Sequence, residues 1–363
     1  MLLVFPVALA AAPPPIINGD AADEARYPMT GGLLIDADWA LGGTTYELEG
    51  LMCSGTLIAP DVVLVAAHCL DPEVITLGQG ELTSVEFLWS RQADLTAWDR
   101  NAPVAGWPAD AVVAWDTVMH EAYDGATLTF GIGVQFDVGL VFLREPILDV
   151  TPAVLVTEAE SEQIVPGAAV EVVGWGQQVS MPQGVSPPAG TFGVKMWGQS
   201  TIGEVGTAEF VVGASPEAVR KCYGDSGGPT FMKFDTTSPS IPRQIGVTSH
   251  LYDDTYCDSR GAVDTRLDVY LDWIDVEMRS RCDSGGRRWC DEPGILPVPS
   301  EVAAETADGA ADDNIEAVVA TCAAVGPPVA TSAAPIMLLA LLRRRPPRAS
   351  APRRGYGSSR RPR

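Results

Sequence analysis

The chain has 363 residues, a formal net charge of −23, and 36 glycines and 29 prolines between short apolar runs, a composition typical of an all-β protein rich in turns. Nine arginines and no acidic residues lie in residues 343–363, so the preceding part holds 15 basic and 47 acidic side chains, a net charge of −32. Such an acidic body repels nucleic acid and anionic membranes, which excludes a nucleic-acid-binding function.

The first fifteen residues predict export. Residues 1–10 (MLLVFPVALA) have the apolar core of a secretory signal, with a small-residue cleavage site at its end. The positive charges that normally precede such a core are missing, which indicates either a true start upstream or a weak signal. We assign residues 1–15 to the remnant of a signal or propeptide.

Three segments hold a histidine, an aspartate and a serine, each beside an apolar run. In chain order they are VLVAAHC with His68, DVGLVFL with Asp137 and YGDSGGP with Ser226. A serine hydroxyl becomes a good nucleophile when a base takes its proton and N–H groups hold the oxyanion that forms. A desolvated carboxylate orients such a base. The three segments therefore predict nucleophilic catalysis.

Gly224, two residues before Ser226, has no side chain to block its amide. The Gly224 and Ser226 amides can therefore both point at the oxygen of an oxyanion. The other two histidines of the chain, His120 and His250, are interpreted as surface or cleft residues. A second serine, Ser284, lies in a partial copy of the motif (CDSGG) without the preceding glycine, and we do not expect it to be catalytic.

Together these segments resemble the trypsin-like (chymotrypsin-fold) serine endopeptidases. The matching pieces, in the family's order, are IING at 16–19, CSGTLI at 53–58, AAHC at 66–69, DVGLVFL at 137–143 and GDSGGP at 224–229, with weaker support from GWG at 174–176 and the segment 265–274. The resemblance implies two packed antiparallel β-barrels over residues 16–280, with the active site between them. A C-terminal helix is indicated by apolar residues near the helical period: Leu267, Tyr270, Leu271, Ile274 and Met278.

The resemblance implies hydrolysis of peptide bonds without a cofactor or metal. Ser226 would be the nucleophile, His68 the general base and Asp137 the orienting carboxylate, with the Gly224 and Ser226 amides as the oxyanion hole. Proteins or peptides are the expected substrates. The alternative is a catalytically silent binding module of the same fold, although no triad residue is missing here.

Cysteine usage predicts an oxidising compartment, so that the protein is expected to be secreted or held at the cell surface. By resemblance to the family, the disulfides are Cys53–Cys69 and Cys222–Cys257. Cys282 and Cys290 are close enough in sequence for a third bridge, which leaves Cys322 unpaired among the seven cysteines. A zinc site is not predicted, because the chain has no Cys-x-x-Cys pair and its histidines are scattered.

Activation in the family frees the amine of the residue that matches Ile16, and this amine pairs with the carboxylate that matches Asp225. Three prolines precede Ile16 here, with no Lys or Arg for a tryptic activator. The resemblance therefore predicts an activating protease of unusual specificity and a mature chain that begins at Ile16.

The specificity pocket departs from the trypsin pattern. The residue six before the nucleophile lies at the base of this pocket in the family, and here it is Arg220, so cleavage after Lys or Arg is not expected. The flanking walls align with Ser249, His250 and Leu251 on one side and with Ala262 and Asp264 on the other. Three interpretations stay open. Arg220 is free and attracts an acidic side chain of the substrate, or it pairs with Asp264 and leaves a shallow pocket for small apolar residues. In the third, Arg220 points into solvent.

The C-terminal region has a separate organisation. Residues 281–324 are assigned to a cysteine-containing acidic spacer, and residues 325–363 to a tail in which PIMLLALL precedes three arginines. The tail resembles bacterial C-terminal sorting signals, which implies cleavage near Cys322 and membrane or cell-surface sorting machinery as a partner. A disordered low-complexity tail is the alternative.

Overall fold

The computed structural model describes residues 15–98, 106–125, 130–181, 185–234, 241–253, 256–257, 260–296 and 343–344. Most of the described chain forms two six-stranded antiparallel β-barrels, and one long helix follows them. The all-β, two-barrel architecture with a C-terminal helix, which the sequence predicted, is therefore confirmed.

The first barrel combines long strands that extend beyond the core with two short strands that are buried along their whole length. Its strands are β2 (Thr30–Leu41), β3 (Thr44–Ala59), β4 (Val62–Val65), β5 (Glu81–Ser90), β6 (Val112–Met119) and β7 (Gly139–Leu143). They pair in the order β3-β2-β5-β6-β7-β4, and pairing of β3 with β4 closes the barrel. Closure removes free strand edges, so β4 and β7 can be continuously apolar without exposing a hydrophobic face.

The second barrel has the same plan. Its strands are β9 (Ala169–Gly174), β10 (Met196–Val205), β11 (Glu209–Val212), β12 (Pro229–Met232), β13 (Arg243–Leu251) and β14 (Ala262–Arg266). They pair in the order β9-β10-β11-β14-β13-β12, and β12 and β10 both pair with β9 to close the ring. Two short strands add to it: β1 (Asp20–Ala21) pairs with β10, and β8 (Val154–Leu155) runs parallel to β13.

In the described residues, helical structure consists of short turns and the C-terminal helix. The segment α1 (Pro15–Asn18) is an irregular turn, and α2 (Pro72–Ile75) is a single turn capped by Asp71. A 3₁₀ turn at Leu267–Val269 leads into α3 (Leu271–Asp283), which buries Leu271, Ile274 and Met278. In the described part of the chain, no helix has the length and apolar character that crossing a membrane requires.

The protein body continues past residue 280, where the sequence analysis began a spacer. Cys282 and Cys290 form a disulfide. The Arg287 guanidinium is buried and lies 2.7 Å from the buried carboxylate of Asp61, between β3 and β4 of the first barrel. Leu296 also packs against the core, and its amide donates a hydrogen bond to Asp275 of α3. Residues 281–296 are thus docked on the body.

Most of the C-terminal tail lies outside the described residues, as do Cys322 and residues 1–14. The signal and sorting interpretations therefore stay predictions. The exception is β15 (Arg343–Arg344), which pairs antiparallel with β3 so that Arg343 lies opposite Glu47. The backbone of these two arginines thus pairs with β3 in the β2–β3 hairpin, which contains acidic residues.

Candidate active site

Strand pairing in the first barrel brings His68 and Asp137 together. β4 pairs with β7, and Val65 lies opposite Gly139. His68 follows β4 in a 3₁₀ turn and Asp137 directly precedes β7, so both residues lie at the same end of the barrel. The Nδ1 atom of His68 lies 2.8 Å from Oδ2 of Asp137, and the His68 amide donates a hydrogen bond of 2.9 Å to Oδ1.

The second barrel completes the surroundings of Asp137. The hydroxyl of Ser249 donates to Oδ2 at 2.5 Å, and that of Thr265 donates to the Asp137 carbonyl at 3.0 Å. Burial raises the pKa of Asp137, but the charge of His68 and the hydrogen bonds from His68 and Ser249 to the carboxylate lower it by more, so the net shift is downward. Burial lowers the pKa of His68, while Asp137 raises it, with a net upward shift. The two shifts favour an ionised Asp137 carboxylate and increase the affinity of the His68 imidazole for a proton.

The turn that carries Ser226 is fixed by its glycines and by the first barrel. Gly224 has φ of 95°, and a Cβ there would lie 2.5 Å from the ring of Phe192. Ser54 of β3 donates its amide to the Ser226 carbonyl at 2.8 Å and its hydroxyl to the Gly224 carbonyl at 3.0 Å. The serine is therefore held at the junction of the two barrels.

The amides on either side of this turn are available to a ligand. Within the described residues, neither the Gly224 nor the Ser226 N–H donates a hydrogen bond, and both residues are half-buried. The hydrogen bonds of the described residues also include none between Ser226 Oγ and Nε2 of His68. Such contacts are often long in ligand-free enzymes and tighten when substrate binds.

Asp225 is buried directly beside the serine. Its carboxylate accepts hydrogen bonds of 2.8 Å from the amides of Gly176 and Cys222. A Cβ at Gly174 would lie 2.1 Å from its Oδ1, which explains why the GWG segment has glycine there. Burial raises the pKa of Asp225 to about 6, even though these hydrogen bonds and the charge of Lys221 lower it.

The N-terminal residues Ile16 and Ile17 also lie close to the predicted specificity pocket, next to Arg220. Ile16 is completely buried, and the Ile17 carbonyl accepts a 3.0 Å hydrogen bond from the Arg220 amide. The Arg220 side chain is 3% exposed and its stem lies against Gly213. The interpretation that Arg220 points into solvent is therefore wrong.

The partner of Asp264 is Lys221, which the sequence analysis did not consider. The ammonium of Lys221 lies 2.7 and 2.9 Å from the two oxygens of Asp264 and donates a 2.7 Å hydrogen bond to Thr230. The side chains of both charged residues are fully buried. The proposed pairing of Arg220 with Asp264 is thus replaced by an ion pair with the next residue along the chain.

The remaining predicted pocket residues lie on or beside β13. Leu251 is half-buried against Ile17 and the Cys222–Cys257 disulfide. His250 is also half-buried and contacts Ser249. A second disulfide joins Cys53 and Cys69 next to His68.

Among the residues that the structure describes, two groups of side chains could offer donor atoms to a metal ion. Cys53, His68 and Cys69 are one, but the two sulfurs are joined in a disulfide and are not thiolates. The other, on the β2–β3 hairpin, consists of Asp36, Glu47 and Glu49. In the first group, His68 is moreover paired with Asp137, and the second group lies on a hairpin away from Ser226, so we assign no metal site.

A buried carboxyl group supports the loop that leads to Asp137. Glu209 is 1% exposed, its Oε2 accepts a hydrogen bond from the Gly133 amide, and its Oε1 has no hydrogen-bond partner in the described part of the chain. Burial raises the pKa of Glu209 from 4.5 to about 7. The folded protein therefore holds a proton on Glu209 at pH values where the unfolded chain has released it.

This proton makes stability depend on pH. Protonated Glu209 contributes stability that is fully present below about pH 4.5 and is lost as the pH rises to about 7. We expect the free energy of unfolding in Glu209→Gln to fall less steeply than in the wild type between these pH values. Chemical unfolding across the range measures this slope, with the exposed Glu158→Gln as the control. Equal slopes in the wild type and Glu209→Gln would contradict the assignment.

The two barrels, with a histidine–aspartate pair and a glycine-flanked serine at their junction, define a protein of the trypsin-like fold. The family model described as Trypsin matches residues 16–274, and the chain belongs to this family. It is similar to chymotrypsin-C of Bos taurus, with 24% identity over 241 residues that cover 62% of this chain and 78% of the relative. It is also similar to melanization protease 1 of Drosophila melanogaster, with 28% identity over 248 residues that cover 64% of this chain and 60% of that protein.

Proposed function

We propose that the protein is a serine endopeptidase that acts through an acyl-enzyme. The observation that supports this most is the pair of hydrogen bonds between His68 and the buried carboxylate of Asp137. Ser226 lies nearby in the fold, and its own amide and that of Gly224 are available to a ligand. Membership of the trypsin family agrees with it. Proteins or peptides are the substrates.

In this mechanism Ser226 Oγ attacks the peptide carbonyl, and Nε2 of His68 takes the hydroxyl proton. Asp137 holds the imidazole with Nδ1 protonated and stabilises the imidazolium that forms. The Gly224 and Ser226 amides donate to the oxyanion of the tetrahedral intermediate. His68 then gives the proton to the leaving amine, and water hydrolyses the acyl-enzyme by the same steps.

Labelling with a fluorophosphonate probe tests this proposal. The probe reacts only with an activated serine, so we expect stoichiometric modification of Ser226 in the N-terminally processed protein. If the protein is instead a catalytically silent binding module, the probe will not label it even when it is folded and correctly processed. Peptide mapping then locates the label and separates Ser226 from Ser284.

We assign activation to the release of the Ile16 amine. A freed ammonium group would compensate the buried carboxylate of Asp225, whose raised pKa of about 6 reflects the cost of its burial. The burial of Ile16 and the backbone contact of Ile17 with Arg220 support this. An activating protease that accepts proline before the scissile bond is required. N-terminal sequencing of active material should begin at Ile16, and a start at Ala11 would contradict the assignment.

We expect cleavage after Lys or Arg to be at least about a hundredfold less efficient than after the best substrate residue, because like charges brought together cost several kcal/mol. Lys221 and Asp264 form a buried ion pair, and Arg220 is a buried cationic residue at the position where the family places the pocket base. An acidic or a small apolar side chain remains the candidate for this pocket.

A peptide-library cleavage profile measures this preference. Arg220→Ala is the informative variant: it should reduce a preference for acidic residues and leave a preference for small apolar ones. Dominant cleavage after Lys or Arg by the wild type would overturn the assignment.

The location proposed is outside the cytoplasm, secreted or at the cell surface. Three disulfides fit an oxidising compartment. We assign the arginine-rich tail to a sorting signal that is cut near Cys322, which would account for the odd cysteine and for the reversal of charge at residue 343. Intact-mass analysis of secreted protein tests this, and chains that end at Arg363 would defeat it.

A further inference from the structure

We propose that one face of the β2–β3 hairpin is the docking site of the chain's own C-terminal arginine run. This surface, which we call the acidic face, is defined by four half-buried acidic residues that lie on the same side of the hairpin: Asp36, Asp38, Glu47 and Glu49. The inference goes beyond the proposed function and does not rest on it, because the acidic face takes no part in the proposed reaction.

The strand register brings these acidic residues together. Asp36 of β2 lies opposite Glu49 of β3, and Asp38 lies opposite Glu47. Directly opposite residues of antiparallel strands lie on the same face of the sheet, where two like charges are destabilising. Carboxylate oxygens of Asp36, Glu47 and Glu49 lie within 4.8 Å of one another. The hairpin thus concentrates negative charge that a cationic group would stabilise.

The other face of the hairpin keeps the acidic residues in this place. Ala37 and Trp39 alternate with the acidic residues of β2 and are buried, and the Trp39 ring stacks on that of Tyr46 with 5.6 Å between the ring centroids. A slip of the register by one residue would exchange the two faces. It would bury carboxylates and expose the apolar side chains, so the packing fixes the acidic face on the outer side.

The outer edge of β3 is accessible beside this face. β3 begins at Thr44, but its pairing with β4 involves only residues 56–59. Among the strands that the structure describes, β15 is the one that pairs with the earlier part of this edge, where Arg344 lies opposite Tyr46. An unpaired strand edge presents N–H and C=O groups to which another strand can add. The edge therefore supplies backbone partners next to the acidic side chains.

The register of β15 places Arg343 on the acidic face. Arg343 lies opposite Glu47, which in turn lies opposite Asp38, so the three residues form one row across three strands. Residues of opposite charge at such positions stabilise a sheet. The overall charges agree with this, because residues 343–363 contain nine arginines and no acidic residue, whereas the preceding part of the chain is strongly acidic.

The chain's own tail is a better occupant than a separate partner. Residues 297–342 connect the docked segment at Leu296 with Arg343. Closing a loop of this length has a modest entropic cost, because the cost grows only with the logarithm of the length. A covalent connection also raises the local concentration of the arginines at the hairpin. Docking therefore needs only the weak attraction that a short edge strand provides.

Docking and the proposed sorting of the tail use the same arginines. An arginine that is paired with β3 cannot lie at a membrane surface at the same time. For the proposed sorting signal, the docked form is thus a competing state, in which the acidic face holds the tail on the protein body.

Hydrogen exchange measured by mass spectrometry tests the docking in the full-length chain. Ser226→Ala serves as the background, so that the enzyme cannot cut its own tail, and an intact mass that includes Arg363 confirms that the tail is present. We expect Arg343→Glu/Arg344→Glu in this background to speed the exchange of residues 44–48 about tenfold, because both charges beside the acidic face are reversed.

The tail contains a matched control for this variant. Arg353→Glu/Arg354→Glu changes the net charge by the same amount, further along the chain. It should leave the exchange of residues 44–48 as it is in the background protein, since Arg343 and Arg344 keep their places opposite β3. The protection should also fall in about 1 M salt, where the Debye length is only about 3 Å.

The double variant Glu47→Arg/Arg343→Glu tests the register. It exchanges the two charges across the strands, and the arginine placed at position 47 also lies opposite Asp38. The double variant should recover most of the protection that Arg343→Glu alone removes, because substitutions of residues in contact are not additive. Equal loss of protection in the single and double variants would contradict the pairing of these two residues.

Three further results would overturn the inference. Equal exchange of residues 44–48 with and without Arg343→Glu/Arg344→Glu would show that the arginines do not dock. Protection that increases with protein concentration would assign the edge to the tail of a second copy. Protection that calcium chloride provides and that does not depend on the arginines would make the acidic face a divalent-cation site. None of these measurements involves turnover, so failure of fluorophosphonate labelling would refute the proposed function alone.

Discussion

Replacement of Ser226 by alanine is expected to lower kcat by about six orders of magnitude while the protein stays folded. The loss is large because the alanine variant has no nucleophile, so the His68–Asp137 pair has no hydroxyl proton to accept. The available amides of Gly224 and Ser226 remain, and the variant should keep some catalysis above the uncatalysed rate. Active-site titration and initial rates on a peptide substrate measure the change.

The chain contains its own control for this experiment. Ser284 lies in a partial copy of the same motif, but it is exposed after α3 and its hydroxyl donates to the Arg281 carbonyl. Ser284→Ala should therefore retain the activity of the wild type. Residual activity of Ser226→Ala above a hundredth of wild type in a pure sample would refute the assignment of the nucleophile.

The sequence predicts the fold and the positions of the site because the relevant signals are local. Continuous apolar runs before His68 and after Asp137 correspond to β4 and β7, which the structure pairs. The glycines around Ser226 indicate a turn in which larger residues would not fit. At Gly224, for example, an added Cβ would clash with the ring of Phe192. Such features depend on a few neighbouring residues and can be interpreted without knowing the packing.

Long-range polar contacts could not be predicted in the same way. Lys221 directly precedes Cys222 and looks like a surface lysine, and only the barrel brings it to Asp264, 43 residues later. The sequence similarly assigns Arg287 to a spacer, whereas the structure pairs it with Asp61, 226 residues earlier. A charged residue that is buried carries no local signal, because its partner is chosen by tertiary structure.

The bulge at Ser249 is a further case. A bulge can be predicted from sequence when it interrupts the alternation of apolar and polar residues. β13 is buried along nearly its whole length and shows no such alternation, so its extra residue leaves no signal. The hydrogen bond of His250 to Gly131 also joins residues 119 positions apart. The sequence could thus place His250 in the cleft, but could not predict its contacts with Ser249 and Gly131.

Replacement of Lys221 by methionine is expected to lower the free energy of unfolding by about 3–5 kcal/mol, because the variant leaves the fully buried carboxylate of Asp264 without its cation. Thr230 still donates one hydrogen bond to Asp264, but a hydroxyl does not neutralise a charge. A typical domain has about 5–15 kcal/mol of stability, so the variant should be marginally folded. Urea unfolding at pH 7 measures the change.

Two further variants separate the buried charge from the loss of lysine packing. The double variant Lys221→Met/Asp264→Leu removes both charges, and replacing a buried ion pair by apolar residues is often neutral, so it should recover most of the lost stability. Lys233→Met breaks the half-exposed pair with Glu171 and should cost at most about 1 kcal/mol. If the double variant is as unstable as Lys221→Met alone, the loss comes from packing, and the uncompensated Asp264 is not its cause.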